Sequence, residues 1–183
     1  MIDGVACKQI GMQRTEWSLS WRELGDITPT IPACCIMKAQ IQESSASMSM
    51  NLVRRLIKEV INDRKYDILS QIVHEDYVYR SPDAELRGTA ALEDLFEGYR
   101  SSFPDLHITI DDMFGDDRKV ATAFTLNGTQ SGPLEGIPPT GRRVSVSGVV
   151  HSRIKENRIV EEWEMLDMSA LIHQLTFEET EPA

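Results

Sequence analysis

The chain has 183 residues, 41% hydrophobic and 26% charged, which is the balance of a folded globular protein and the size of one domain. Its net charge is −10, and the residues after position 50 carry −9 of that total, with 24 acidic and 15 basic side chains. An acidic surface disfavours contact with phosphate backbones and anionic lipid, which excludes nucleic acid and membrane as expected partners.

No apolar run approaches the roughly 20 residues that a membrane-spanning helix needs. The apolar stretch 31–37 is too short and too far into the chain for a secretory signal, so a cytoplasmic location is the default expectation. Residues 1–50 show no sustained period of 2 or 3.6. Trp17 and Trp21 mark a single helical turn that nothing continues, and 42–50 reads as a linker. Cys7, Cys34 and Cys35, the only cysteines, all fall in this leader, at spacings that suit neither a metal nor a redox pair. Met48 and Met50 stand just before the first strong helix, so one expectation is that translation begins there.

The domain is expected over 51–177, with 178–183 as an acidic tail. Leu52, Leu56, Val60 and Val53, Ile57, Ile61 step by four and predict one broad apolar helix face. A second helical piece follows from Tyr66 to Val73. An extended segment over 76–82 is stopped by Pro82. Thr89 is a candidate cap for a helix in which Leu92, Phe96, Tyr99 and Phe103 share a face, ended by Pro104. The period then changes to 2. Ile108 and Ile110 alternate with polar residues, 115–117 is a turn, and 120–127 alternates again. A Gly/Pro-rich loop covers 132–141 before the strand of Val144, Val146 and Val150. A last strand runs from about Ile159 to Asp167, and a short helix spans Ser169 to Leu175. Helices first and strands later, without βαβ alternation, predict an α+β fold on an antiparallel sheet.

Three strings carry a resemblance: Tyr99-Arg100-Ser101-Ser102-Phe103-Pro104-Asp105-Leu106, the run GIPPTGRRV from Gly136 to Val144, and the run RIKENRIVEEW from Arg153 to Trp163. Together with the element order, they resemble the SnoaL-like polyketide cyclases, also called ester cyclases. That family sits in the superfamily of nuclear transport factor two, steroid isomerase, scytalone dehydratase and limonene epoxide hydrolase. The resemblance implies a cone, with a strongly curved antiparallel sheet wrapped on N-terminal helices around one pocket. It also implies a cofactor-independent ring closure of aldol type on a small polyketide-like or cyclic substrate, with no organic cofactor and no metal. Isomerase, dehydratase or epoxide hydrolase activity, or a noncatalytic small-ligand or dimerisation module, are the alternatives. A homodimer through the sheet is a further expectation of the resemblance.

In the family the acid/base group is an Asp at the end of the last strand, helped by a His; the matching position here is Asp167, and the His candidate is His151. Aldol closure needs a base to remove a proton α to a carbonyl and a donor for the new alkoxide. Enclosure beside Trp163 and Met165 would raise the pKa of Asp167 and make it a better base. The competing reading is that Asp167 caps the helix that follows. His151 depends on the turn at 155–158. A three-residue loop pairs Ile154 with Arg158 and brings His151, Ser147 and Asp167 onto the Trp163 face, and this register is preferred. A two-residue loop pairs Lys155 with Arg158 and sends His151 to the face opposite Asp167. The resemblance places Tyr77, Tyr79 and Arg80 at the pocket mouth, with Tyr79 as a hydrogen-bond donor to substrate or as packing. Gln130 stands where relatives often have His. Trp163, Met165, Tyr79, Tyr77, Gln130 and Ser147 form the expected substrate-binding set. His74, His107 and His173 have no metal-ligand spacing.

Overall fold

The computed structural model describes residues 45–177. The leader readings on Cys7, Trp17, Trp21, Cys34 and Cys35, and the acidic tail 178–183, lie outside the described residues.

Both apolar rows of the first helix are buried, and they dictate its docking. Helix α1 covers 45–62, with its second part, Leu56–Asn62, wound as a π-helix. Leu52, Val53, Leu56, Ile57, Val60 and Ile61 are all withdrawn from solvent, each contributing roughly 1.5–3 kcal/mol by burial. The helix begins earlier than expected. Residues 45–50 are helical rather than linker, and Ser49 is buried, its hydroxyl donating to the Asp117 carbonyl at 3.0 Å.

A 3₁₀ turn at Tyr66–Ile68 leads into α2 (Leu69–Ile72) and then β1 (Val73–Arg80), β2 (Glu85–Arg87) and α3 (Gly88–Ser102). Helix α3 starts one residue before Thr89, which therefore lies inside the first turn, and no side chain caps it. It stops two residues before Pro104, as the expected break requires. Strands β3 (His107–Gly115), β4 (Lys119–Thr129), β5 (Arg143–Lys155) and β6 (Arg158–Leu166) follow, then α4 (Met168–Thr176).

The six strands form one curved, unclosed sheet in the order β2-β1-β6-β5-β4-β3. Four of its five pairings are antiparallel, as expected, but β1 and β6 run parallel. An antiparallel hairpin closes through a tight turn, whereas a parallel pair needs a long connection. Here everything from β2 to β5 supplies that connection, so the sheet is mixed. Register shifts interrupt β1·β6, β3·β4 and β5·β6, and such bulges bend a sheet locally. On β4 and β5 alternate residues are buried, including Val120, Phe124, Leu126, Val144, Val146 and Val150, and this concave face holds the core against the helices. Gly148 belongs to the same row. A Cβ there would come within 2.4 Å of the Phe124 ring, so a glycine lets that ring lie flat on β5.

The string around Arg100 ties helices to strands. The buried Arg100 guanidinium donates to the carbonyls of Ile61, Asn62 and Leu106, the first two at the end of α1 where helix carbonyls lack partners. Asp105 accepts from the Thr129 amide at 2.6 Å and its hydroxyl at 2.8 Å, which pins the chain after α3 to the end of β4. Arg100→Met keeps the apolar stem and removes every donor. It is expected to lower stability by about 2–4 kcal/mol, read as a lower urea midpoint at unchanged slope.

Candidate active site

The side chains of the last strand are dealt to two faces by a bulge. The turn between β5 and β6 is the two-residue one. Glu156 and Asn157 take φ of 51° and 57°, and Lys155 pairs with Arg158. Ile154 then pairs with Ile159, but Arg153 pairs with Glu161, so Val160 is an extra residue. Beyond it the alternation is reversed. Ile159 is buried, and so is Glu162, with Glu164 and Leu166 on the same side.

This corrects the preferred register. His151 lies opposite Trp163, not Glu161, and Val149, not Ser147, lies opposite Met165. His151, Ser147, Trp163 and Met165 all occupy the outer face, where Trp163 is 59% and Met165 60% exposed. Asp167 lies just past the strand end and is exposed. Its Oδ1 accepts from the Ala170 amide at 2.9 Å, the geometry of a helix N-cap, which is the competing reading of that residue. The structure therefore does not bring Asp167 and His151 to the concave side. Gln130 is fully buried but serves the Gly/Pro-rich loop. Its Oε1 accepts from the Thr140 amide and hydroxyl, at 3.1 and 2.6 Å, and its amide donates to the Ile137 carbonyl. Of the expected substrate-binding residues, only Tyr79 lines the cavity between sheet and helices; Tyr77 is buried against Glu162.

A narrow cavity of about 30 Å³ opens between the concave sheet and the helices. Its walls are mostly apolar, with Leu56, Ile57 and Ile61 from α1, Leu92 and Phe96 from α3, and Phe124 and Val150 from the sheet. Its polar lining residues are Tyr79, Glu162 and Glu164. Among the described residues, no Lys, Arg or His lines it. Arg80, paired on the sheet with Trp163, is engaged by Glu85 at 3.0 Å and by Glu161.

Glu162 is buried and doubly bound. The Tyr77 hydroxyl donates to its Oε2 and the Ser152 hydroxyl to its Oε1, both at 2.7 Å. Burial raises its pKa, while the two hydrogen bonds work the other way. Glu164 stands two residues further on, facing the Tyr79 hydroxyl. Burial first, and the neighbouring Glu162 charge second, push it from 4.5 up to about 7, with the Tyr79 hydrogen bond opposing. Tyr79 itself is pushed well above its usual value by burial and then by Glu164, so its hydroxyl stays protonated as a donor. Tyr99, on α3, is pushed up to about 12 by burial and by Glu164. The cavity thus holds a carboxyl group that changes charge near neutral pH beside a permanent hydroxyl donor.

The two glutamates were hidden in the sequence by their neighbours. Trp163 and Met165 make the odd row of β6 look like the pocket wall, and continuing the alternation from Ile159 selects that same row. The signal available was the Glu-Glu-Trp-Glu run itself, in which one row of a strand is acidic at two successive positions.

The sequence model of the SnoaL-like polyketide cyclases matches residues 51–175. The chain belongs to this family. Similar crystal structures include AclR, a candidate hydroxylase from Streptomyces galilaeus, at 27% identity and a TM-score of 0.63 over 71% of this chain and 96% of AclR. TsrD from Streptomyces laurentii is similar at 26% identity and TM-score 0.65, over 71% of this chain and 96% of TsrD. IdmH, a candidate polyketide cyclase from Streptomyces antibioticus, reaches 25% and 0.64, over 70% of this chain and 99% of IdmH. No curated protein matches the chain. As a SnoaL-like protein it has the curved sheet and helices of the nuclear transport factor two superfamily, and the carboxylates on its concave face are Glu162 and Glu164.

A raised carboxyl pKa has a stability consequence of definite sign. Below 4.5 Glu164 is neutral in both folded and unfolded chains, and it adds no penalty. As pH rises from 4.5 through about 7, the unfolded chain gains from ionising while the folded one does not, so stability falls. Glu164→Gln removes that penalty. It is expected to stabilise the fold by about 1–3 kcal/mol at pH 8, with the gain vanishing below 4.5, in denaturant unfolding across pH.

Proposed function

We propose that this SnoaL-like protein is an acid/base enzyme that closes a ring in a small polyketide-like or cyclic substrate, with Glu164 as the acid/base group. The observation that carries the reading is a carboxyl poised near neutral pH on the wall of an apolar cavity, with the Tyr79 hydroxyl beside it. The family and the similarity to IdmH, a candidate polyketide cyclase, support the ring-closing assignment.

The chemistry asks little beyond these two groups. Glu164, ionised, removes a proton from carbon α to a carbonyl, and the pair of electrons left behind forms the enolate. The enolate carbon attacks a second carbonyl of the same molecule, making one C–C bond and an alkoxide. The proton held on Glu164 then returns to that alkoxide oxygen, so the carboxylate is regenerated. A base near neutral pKa suits both transfers, because it accepts and releases a proton at working pH. Tyr79 donates to the developing oxyanion. The apolar walls, Phe96 of α3 among them, would hold a flat substrate by burial.

In this reading the carboxylate that the family requires near the end of the last strand is Glu164, and Asp167 serves α4. Glu164→Gln is expected to reduce kcat by 10²-fold or more, roughly the share of a positioned base. Asp167→Asn is expected to keep most activity and to cost about 1 kcal/mol or less in stability. The wild-type kcat/KM is expected to rise with pH through about 7, because the base must be ionised. Full activity in Glu164→Gln, or its loss in Asp167→Asn with the fold intact, overturns the assignment.

The reading also gives the outer face a partner, a second copy of this chain. Val149, Trp163 and Met165 are 54–60% exposed and adjacent across β5 and β6, with Phe114 and His151 extending the row towards β3. The rim carries both signs, Lys119 and Arg153 against Glu161 and Asp112, which suits a self-complementary contact. Sedimentation is expected to give a dimer for the wild type and a monomer for Trp163→Glu; a monomeric wild type removes the proposal.

A further inference from the structure

The ring-closing step uses Glu164 and Tyr79 but leaves Glu162 without a role, although it is the most enclosed carboxylate at the cavity. Its surroundings are built from three strands. Tyr77 reaches it from β1 and Ser152 from β5, so each carboxylate oxygen is held by a hydroxyl at 2.7 Å and the group cannot swing away. An ionised carboxylate only accepts hydrogen bonds, and here both oxygens are met by donors, the arrangement that favours its charged form. Glu164 lies two residues along the same strand and on the same face, with one hydroxyl partner instead of two.

We propose that Glu162 is a positioning residue, an anchored negative charge that keeps the proton on Glu164. Like charges two residues apart on one strand face, in an apolar wall, cannot both form easily, and the member held by more hydrogen-bond donors ionises first. Glu162, with two donors, is that member. Glu164 therefore keeps its proton to a higher pH than burial alone would give, which poises it for both proton transfers of the proposed reaction. The other groups around Glu164 do not offset this charge. Tyr79 on β1 and Tyr99 on α3 are neutral hydroxyls, α1 presents Leu56, Ile57 and Ile61, and β4 and β5 present Phe124 and Val150. The cations on neighbouring strands, Arg80 and Arg153, are paired to Glu161, which lies next to Glu162 on β6 and outside the cavity lining.

This inference uses the assignment of Glu164 as the acid/base group only for its consequence; the coupling itself is testable without substrate. Titrating the side-chain carboxyls by carbon NMR on glutamate-labelled protein reads the Glu164 midpoint directly, with the Glu164→Gln spectrum assigning the resonance. Glu162→Gln keeps the shape and removes the charge. The Glu164 midpoint is expected to fall by about one to two units. The rising limb of kcat/KM should move by the same amount, and Glu162→Asp should restore most of the shift. Tyr77→Phe, which removes one donor and leaves the carboxylate, is expected to lower the Glu164 midpoint by a smaller amount, and it carries the test if Glu162→Gln does not fold. An unchanged Glu164 midpoint in either folded variant overturns the proposal, since a purely structural brace would leave it where it was. If the midpoint moves but Glu164→Gln retains turnover, the coupling stands and the ring-closing assignment fails.

Discussion

One extra residue in the last hairpin governs the chemistry of this fold. Val160 has no partner on β5, and the slip it introduces exchanges the two faces of β6. Before it, Ile159 points to the core; after it, Glu162 and Glu164 do, while Trp163 and Met165 turn outward. A strand without the bulge would line the cavity with tryptophan and methionine and expose its carboxylates to water, where an ordinary glutamate is a weak base. The bulge thus decides which side chains are desolvated.

Desolvating two carboxylates is costly, and the architecture contains the compensation. The parallel pairing of β1 with β6 carries Tyr77 and Tyr79 alongside the acidic row, and β5 adds Ser152. Those three hydroxyls satisfy oxygens that would otherwise be buried without partners. They also tie the strands together, so a polar cluster that weakens the core in terms of transfer free energy contributes cross-strand hydrogen bonds in return. Under the proposed function, the arrangement is the common compromise in which a site gives up stability for an altered protonation state.

The rest of the chain holds the cavity open. Arg100 closes the carbonyl end of α1 against α3 and β3, Asp105 fastens the chain after α3 to β4, and Gln130 shapes the loop that precedes β5. Arg100 and Asp105 fall in the first string by which the family is recognised and their work is structural, whereas Glu162 falls in the third.

The sequence by itself determined the frame. The two apolar rows of α1 have a period that only a helix can bury. The alternating residues of β4 and β5 likewise name their inner face, since Val120, Phe124, Leu126, Val144, Val146 and Val150 outweigh the buried Thr122 and Ser152 in the same rows. Proline 104 and the Gly/Pro-rich loop mark the breaks. What the sequence left open was β6, where one row is apolar and the other acidic, so hydrophobicity favours the wrong face. A bulge leaves no local signature, because Val160 is as good a strand residue as its neighbours, and it becomes a bulge only through pairing with β5. The parallel contact with β1 and the hydroxyls that meet Glu162 likewise belong to long-range pairing, whereas the cap at Asp167 is local and was legible in the sequence. Which carboxylate enters the cavity was therefore a decision of the tertiary structure, since a shift of one residue in register reverses every side chain beyond it.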